Sequence, residues 1–278
     1  MDRPRRELMD HVAGKPNVCL NVCRQTKANE WRHALVSDKP TPAVFVEIKD
    51  GSTVMPLYVY PDEGRGQGDL LAPREKRPNL AEAFIEAASE RLGLDFDAAG
   101  HRGLHLNAPP EREEGTWNPE DVFCYAYAVL HSPTYRERYA GFLKIDFPRL
   151  PLTSDAALFF RLADLGEALA RLHLMRAPAL DEFVTGFPHA GSNRVEKPRF
   201  EGGEVWINRE QCFTGMDEAD WNFRVGGYQP LEKWLKDRKG RALSFDDIAH
   251  WQRMVVAVRE TRRLMAEADA AIPAWPLP

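Results

Sequence analysis

The segment VFVEIKD, residues 44–50, places Glu47 and Lys49 two positions apart at the end of a β-type run, with Asp38 upstream. Alternate residues of a strand share a face. Two carboxylates and a lysine so arranged are the layout with which metal-dependent nucleases hold a cation and steady an attacking water. Solvated charge on an edge strand explains the same residues equally well, so the pattern stands as a candidate beside that plainer reading.

Other chemistry-bearing patterns are weaker. His101 and His105 in HRGLH have no adjacent acid or further ligand and read as solvent-exposed loop histidines. His131 and His173 fall near helix ends, where an imidazole can meet the last carbonyls. Cys19 and Cys23, in VCLNVC, lack a C-x-x-C spacing and a second ligand pair, so they read as a buried pair of small side chains. No glycine-rich dinucleotide fingerprint, phosphate-binding P-loop or G-x-S-x-G elbow is present, and FEGGEV, residues 200–205, reads as a turn. The Asn-Pro-Pro-Tyr and Asp-Pro-Pro-Tyr segments that hold a flipped adenine are also missing. Catalysis by this chain alone is not expected, and neither is a resident cofactor or metal.

What remains is a set of basic clusters. CRQTK carries Arg24, Gln25 and Lys27 at a strand end; YRERY carries Arg136 and Arg138; SNRVEKPR carries Asn193, Arg194, Lys197 and Arg199; and WLKDRKGR ends in Arg238, Lys239 and Arg241. Asn and Arg are suited to base edges, and Lys and Arg to phosphates. The 192–199 cluster is the best placed to read bases, because loops can enter a groove, although a solvated loop explains it as well, and packing with solvation explains YRERY and the hairpin. The 238–241 tip is suited to phosphate, since Glu232–Lys236 and Lys233–Asp237 are i,i+4 pairs that cancel part of the helix's charge.

Composition limits these readings. With 278 residues, 44% hydrophobic and 28% charged, the chain is an ordinary globular protein, and its net charge is -5. An autonomous nucleic-acid binder is usually basic overall, so a nucleic-acid role here must rest on a local patch. No apolar run approaches the ~18 residues of a membrane span, and the basic N-terminus has no apolar stretch behind it, which leads us to expect a cytoplasmic protein.

The elements that must carry these residues form a mixed α/β (α+β) chain without regular βαβ alternation. Residues 1–60 read as β-rich, with strands over 17–25, 33–38, 43–50 and 54–60 and a hairpin turn at Gly51-Ser52. Residues 61–117 hold loops and one helix, capped by Asn79 and stopped by Gly93. A helical core spans 118–176, short strands and loops 177–225, and a helical hairpin 226–272, with Ser244 and Asp247 as its capping box. The whole is expected to form one integrated domain. In the hairpin, Leu231, Trp234 and Leu235 face inward.

Several segments in order, VLHSPTYRERYAGFLKIDFPRLPL, LFFRLADLGEALARLHL and NFRVGGYQPLEKWLKDRKGRALSFDDIAHWQRMVVAVRETRRLM, closely resemble the C-terminal specificity domain of Type ISP restriction–modification enzymes and, more loosely, other fused adenine methyltransferase–specificity proteins. DRPRRELMDHV and PNVCLNVCRQ resemble the entry into that domain. The resemblance implies a target-recognition module that binds double-stranded DNA and positions it for base flipping. It also implies partners in cis or trans: an adenine-N6 methyltransferase domain, to which S-adenosylmethionine would belong, and restriction and translocase domains. Met1 stands where the specificity region begins, so we expect a chain without those catalytic domains. No base-reading residue is carried over by the resemblance. Besides a nuclease, a protein-interaction scaffold with its helical half as docking surface is the alternative.

Overall fold

The computed structural model describes residues 5–46, 51–61, 75–106 and 110–278. Contacts divide the chain into two compact units, Met1–Leu174 with Met265–Pro278, and Met175–Leu264, where the sequence suggested one integrated domain.

The first unit opens with α1 (Arg6–Val12) and a three-stranded antiparallel sheet in which β1 (Cys19–Val22) lies between β2 (Ala34–Ser37) and β3 (Thr53–Pro56). Asn21, in the central strand and fully buried, donates to Ser37 Oγ at 2.9 Å and accepts from Thr41 Oγ1 at 3.0 Å, so its burial leaves no amide dangling. Cys19 and Cys23 are buried free thiols, and burial pushes the Cys19 thiol up to about 12. The strand expected over 43–50 is not found where it can be seen: residues 43–46 form turns and bends, and 47–50 lie outside the described residues. Gly51, at a left-handed φ of 72°, precedes Ser52, whose N–H donates to the Ala43 carbonyl, and β3 goes on to pair with β1.

Short pairs follow, β4 (Tyr58–Val59) with β5 (Arg77–Pro78), and β6 (Asp95–Phe96) parallel to β7 (Thr116–Trp117). Between them lies α2 (Glu82–Leu92), ended by Gly93 at φ 66° as expected. Asn79 does not cap it. Its amide donates to the Pro56 carbonyl at 2.9 Å, and Ala81 takes the cap position without a side-chain bond.

The centre of this unit is the packed pair α3 (Pro119–His131) and α6 (Ala156–His173), with the short α4 (Pro133–Arg138) and α5 (Ala140–Leu143) between them. Asn118 and Asp121 close a reciprocal capping box and Pro119 sits in the first turn, which starts α3 sharply. Helix α3 is buried almost all round, as its near-continuous apolar body requires. The helices approach closely because α6 has Gly166 where a methyl group would run into the Cys124 carbonyl of α3.

The acidic first turn of α3 also organises the HRGLH loop. Buried Glu120 accepts from the backbone N–H of Arg102, Leu104 and His105 at 2.6, 2.9 and 2.6 Å, and lies 2.7 Å from His105 Nδ1. Burial alone would raise this carboxyl, but the bonds from His105 and the backbone hold it below its ordinary value. His105 is therefore buried rather than solvent-exposed as expected. Sequence reasoning missed its partner because Glu120 lies fifteen residues on. Arg102 completes the cluster, binding Asp121 at 2.5 Å, Asp164 at 2.7 Å and Glu167 at 3.0 Å.

In the second unit β8 (Arg199–Glu201), β9 (Glu204–Trp206) and β10 (Cys212–Thr214) form an antiparallel sheet in sequential order. Gly202 and Gly203, both at positive φ (60° and 83°), make its first two-residue hairpin turn. Then come α7 (Glu218–Trp221), α8 (Pro230–Lys236) and α9 (Phe245–Ala271), whose residues from Met265 on group with the first unit. The sheet packs on the helices through Val205, Phe213, Leu231, Leu235, Trp251 and Val255, all fully buried, with Phe213 and Trp251 centroids 4.0 Å apart. The expected inward face of α8 is present, with Trp234 packed against this core. Asp220, also buried, is held by Arg259 at 2.8 Å and Arg262 at 2.5 Å.

Candidate nucleic-acid interface

Two basic clusters far apart in sequence meet in the second unit. Backbone bonds run from Val195 N to Arg241 O (2.9 Å), from Gly240 N to Val195 O (2.7 Å) and from Leu243 N to Asn193 O (2.9 Å), so 193–195 and 240–243 pair as short antiparallel segments. Buried Val195 and Leu243 pin this edge to the core. Arg194 and Arg241 thereby stand on one edge, with Lys239 at the turn. Gly240, at φ 85°, allows the chain to double back there.

The loop leading into this edge is built around Gln211, which is fully buried. Its Oε1 accepts from Asn193 N at 2.7 Å and Asn208 Nδ2 at 3.0 Å, and its Nε2 donates to His189 O at 2.9 Å and Asn193 Oδ1 at 2.8 Å. One buried amide with all its capacity used holds a loop in a single shape. Asn193, at a left-handed φ of 53°, is part of that scaffold, and its own amide donates to Leu243 O at 3.4 Å. Nothing in the sequence marked Gln211, because apart from Asn208 its side-chain partners, on Asn193 and His189, lie eighteen or more residues away.

The cations on this edge are not equivalent. Arg194, Lys197 and Lys239 are exposed and make no side-chain bond or ion pair among the described residues. Arg199 lies 3.3 Å from Glu201 and over the Trp206 ring at 5.2 Å. Arg238 stacks on Trp234 at 3.4 Å from the ring centre. It also shares Asp247 with Arg241, at 3.6 and 3.7 Å. The Asp247 carboxyl is held below its usual range chiefly by the Ser244 backbone N–H and then by the Ser244 hydroxyl and the two arginines. The expected capping box therefore forms, and the pairs Glu232–Lys236 (2.9 Å) and Lys233–Asp237 (2.8 Å) form with it.

The first unit gathers the other two clusters. Thr26 N donates to Lys144 O at 3.2 Å and Arg24 lies 3.3 Å from Asp146, so the CRQTK segment, with Gln25 and Lys27 exposed, runs beside the chain that follows YRERY. Arg138 is exposed on the same α4–α5 stretch, near Phe142 and Ile145, which are 69% and 68% exposed. Arg136 turns inward instead: its Nε donates to Leu130 O at 2.6 Å and it lies over the Trp31 ring at 5.9 Å. Burial lowers its pKa to about 10, which leaves it cationic at neutral pH.

For the nuclease pattern, Asp38 is half-buried, while Glu47 and Lys49 lie outside the described residues. Among the described residues no group of three metal-ligating side chains converges, and no helix is long and apolar enough to cross a membrane.

A family model described as the Type ISP C-terminal specificity domain matches residues 1–267. The chain belongs to that family. Solved structures with the same fold include the ATP-dependent Type ISP restriction–modification enzyme LlaBIII bound to DNA, at TM-score 0.65 and 16% identity over 94% of this chain and 16% of that one. A nuclease-deletion mutant of the Type ISP enzyme LlaGI with a DNA substrate mimic aligns at TM-score 0.59 and 17% identity, over 94% of this chain and 22% of that one. The DrdV–DNA complex aligns at TM-score 0.65 and 20% identity, over 92% and 25%. The specificity domain thus spans a quarter or less of the length of each of these proteins. No curated protein matches the chain. Membership agrees with the mixed α/β architecture expected from sequence and gives the nuclease reading no support.

Proposed function

We propose that this specificity domain recognises the sequence of duplex DNA and positions it for the adenine-N6 methyltransferase and restriction–translocase domains of a restriction–modification system. The observation that carries the reading is the pairing of 193–195 with 240–243. It places Arg194, suited to a base edge, beside Lys239 and Arg241, suited to phosphates, on one rigid edge. Arg24, Gln25, Lys27 and Arg138 form the basic surface of the first unit and are assigned to backbone contact. Lys197 and Arg199 extend the edge in the second. Asn193 and Arg136 act as supports for their neighbours. Methyl transfer, with its S-adenosylmethionine, and cleavage belong in this reading to the partner domains. A net charge of -5 fits a module whose phosphate contacts are made jointly with such a partner.

The test is fluorescence anisotropy with labelled duplex DNA over a salt series. Each phosphate-contacting cation removed lowers the slope of log K against log salt by about 0.9. Lys239→Ala and Lys197→Ala are expected to do so, and Arg199→Ala less, because Arg199 already has Glu201 beside it. Absence of any duplex binding at low salt, for the chain alone and with a methyltransferase partner, would overturn the proposal.

A further inference from the structure

Phe245 is 89% exposed, well beyond Phe142 and Ile145 at 69% and 68%, which are the next most exposed large apolar side chains described. It occupies the first position of α9, immediately after the capping serine. The residues around it are firmly held: Leu243 and Ile248 are buried, and Ser244 and Asp247 bond each other through backbone and side chain at 3.1 Å. The ring is therefore projected into solvent from a rigid backbone.

Its surroundings are charged rather than apolar. Lys239 and Arg241 precede it in the turn, and Ala242, three residues before it, pairs with Arg194. Of the neighbouring carboxylates, Asp247 is engaged by Ser244, Arg238 and Arg241, leaving Asp246 exposed. A single aromatic ring set among cations lacks the contiguous apolar area of a protein-docking patch. It does match the chemistry of duplex DNA, in which phosphates flank a stack of π-faces. Apolar side chains that enter between base steps unstack them, and flanking cations hold the backbone while they do so.

We propose that Phe245 is a wedge that inserts between base pairs when this edge meets duplex DNA. Such a wedge would let the domain read how easily a step opens as well as its hydrogen-bonding edges. The inference rests on the proposed DNA role.

The test uses the full chain and a fluorescein-labelled duplex of mixed sequence, with a second duplex carrying 2-aminopurine to report unstacking. Phe245→Ala is expected to bind roughly ten-fold more weakly, since stacking is worth on the order of 1–3 kcal/mol per base. Its salt slope should match the parent's, because no phosphate contact is lost. Phe245→Trp should restore affinity and the 2-aminopurine signal, and the melting temperature of Phe245→Ala should equal the parent's because the ring packs on nothing. If Phe245→Ala binds like the parent while Lys239→Ala binds more weakly with a lower slope, the wedge is overturned and the DNA role stands. A loss confined to binding of a separately supplied methyltransferase domain, or a lowered melting temperature, also overturns it by giving the ring a protein contact. A parent chain that binds no duplex at low salt overturns both.

Discussion

Acidification should weaken the first unit through a histidine pair, His131 buried and His173 half-buried. Tyr127 Oη lies 2.6 Å from His173 Nδ1, and His131 Nδ1 lies 2.7 Å from the Tyr127 carbonyl, with the imidazole centroids 5.4 Å apart. A neutral His173 accepts the tyrosine proton, while the His131 contact requires that nitrogen to donate. Burial, and then the Arg136 guanidinium, lower His173 from 6.5 to about 4; burial, Arg136 and His173 hold His131 well below its ordinary value. Between those two values the unfolded chain binds a proton that the folded chain refuses. The contribution is therefore fully present above about pH 6.5, declines as pH falls, and levels off near 4. At 1.36 kcal/mol per unit of pKa the difference for His173 is about 3 kcal/mol. Urea unfolding followed by far-UV circular dichroism, from about pH 7.5 to about 4.5, measures it. His173→Gln keeps an acceptor for Tyr127 and removes the titration, so its stability should fall distinctly less over that range than the parent's. Equal pH dependence of the two proteins, or a His173 proton resonance titrating near its unfolded value, would refute the reasoning.

Three further outcomes follow from packing and charge. Gly166→Ala gains about 1 kcal/mol of helix propensity, but the added methyl meets the Cys124 carbonyl and comes within 3.1 Å of Ala128 N. Overpacking of about 1–3 kcal/mol or more should win, giving a lower melting temperature and a shifted near-ultraviolet spectrum. Asp220→Asn removes the buried charge between Arg259 and Arg262. It should cost about 3 kcal/mol, the lower end for a broken buried pair because both arginines keep some water, as chemical denaturation would show. Arg136→Ala should lower the unfolding stability by about 1–3 kcal/mol, for the unpaired Leu130 carbonyl and the lost contact with the Trp31 ring. It should leave the salt slope of DNA binding unchanged, in contrast to Lys239→Ala.

Local chemistry was legible from the residues themselves. Ser244 with Asp247, Gly93 after Leu92 and the pairs Glu232–Lys236 and Lys233–Asp237 all act over four residues or fewer, and the structure shows each one formed. The mixed α/β architecture also followed, since apolar periodicity and turn residues belong to the chain, while the family followed from the resemblance of its ordered segments. Asn79 misled because a capping residue type also suits a loop amide, and the Pro56 carbonyl was the better partner.

Tertiary structure alone decided which groups stand free and which support others. The sequence marked Arg136, Asn193, Arg194 and Lys239 alike as polar and basic. Folding turned Arg136 onto Trp31 and locked Asn193 to Gln211, and it left Arg194 and Lys239 exposed on one edge. It also buried His105 on Glu120 and left Phe245 bare beside the cations. The physical reason is that a side chain's availability depends on desolvation and on partners fifteen to fifty residues away. Such long-range partners leave no periodicity in the chain.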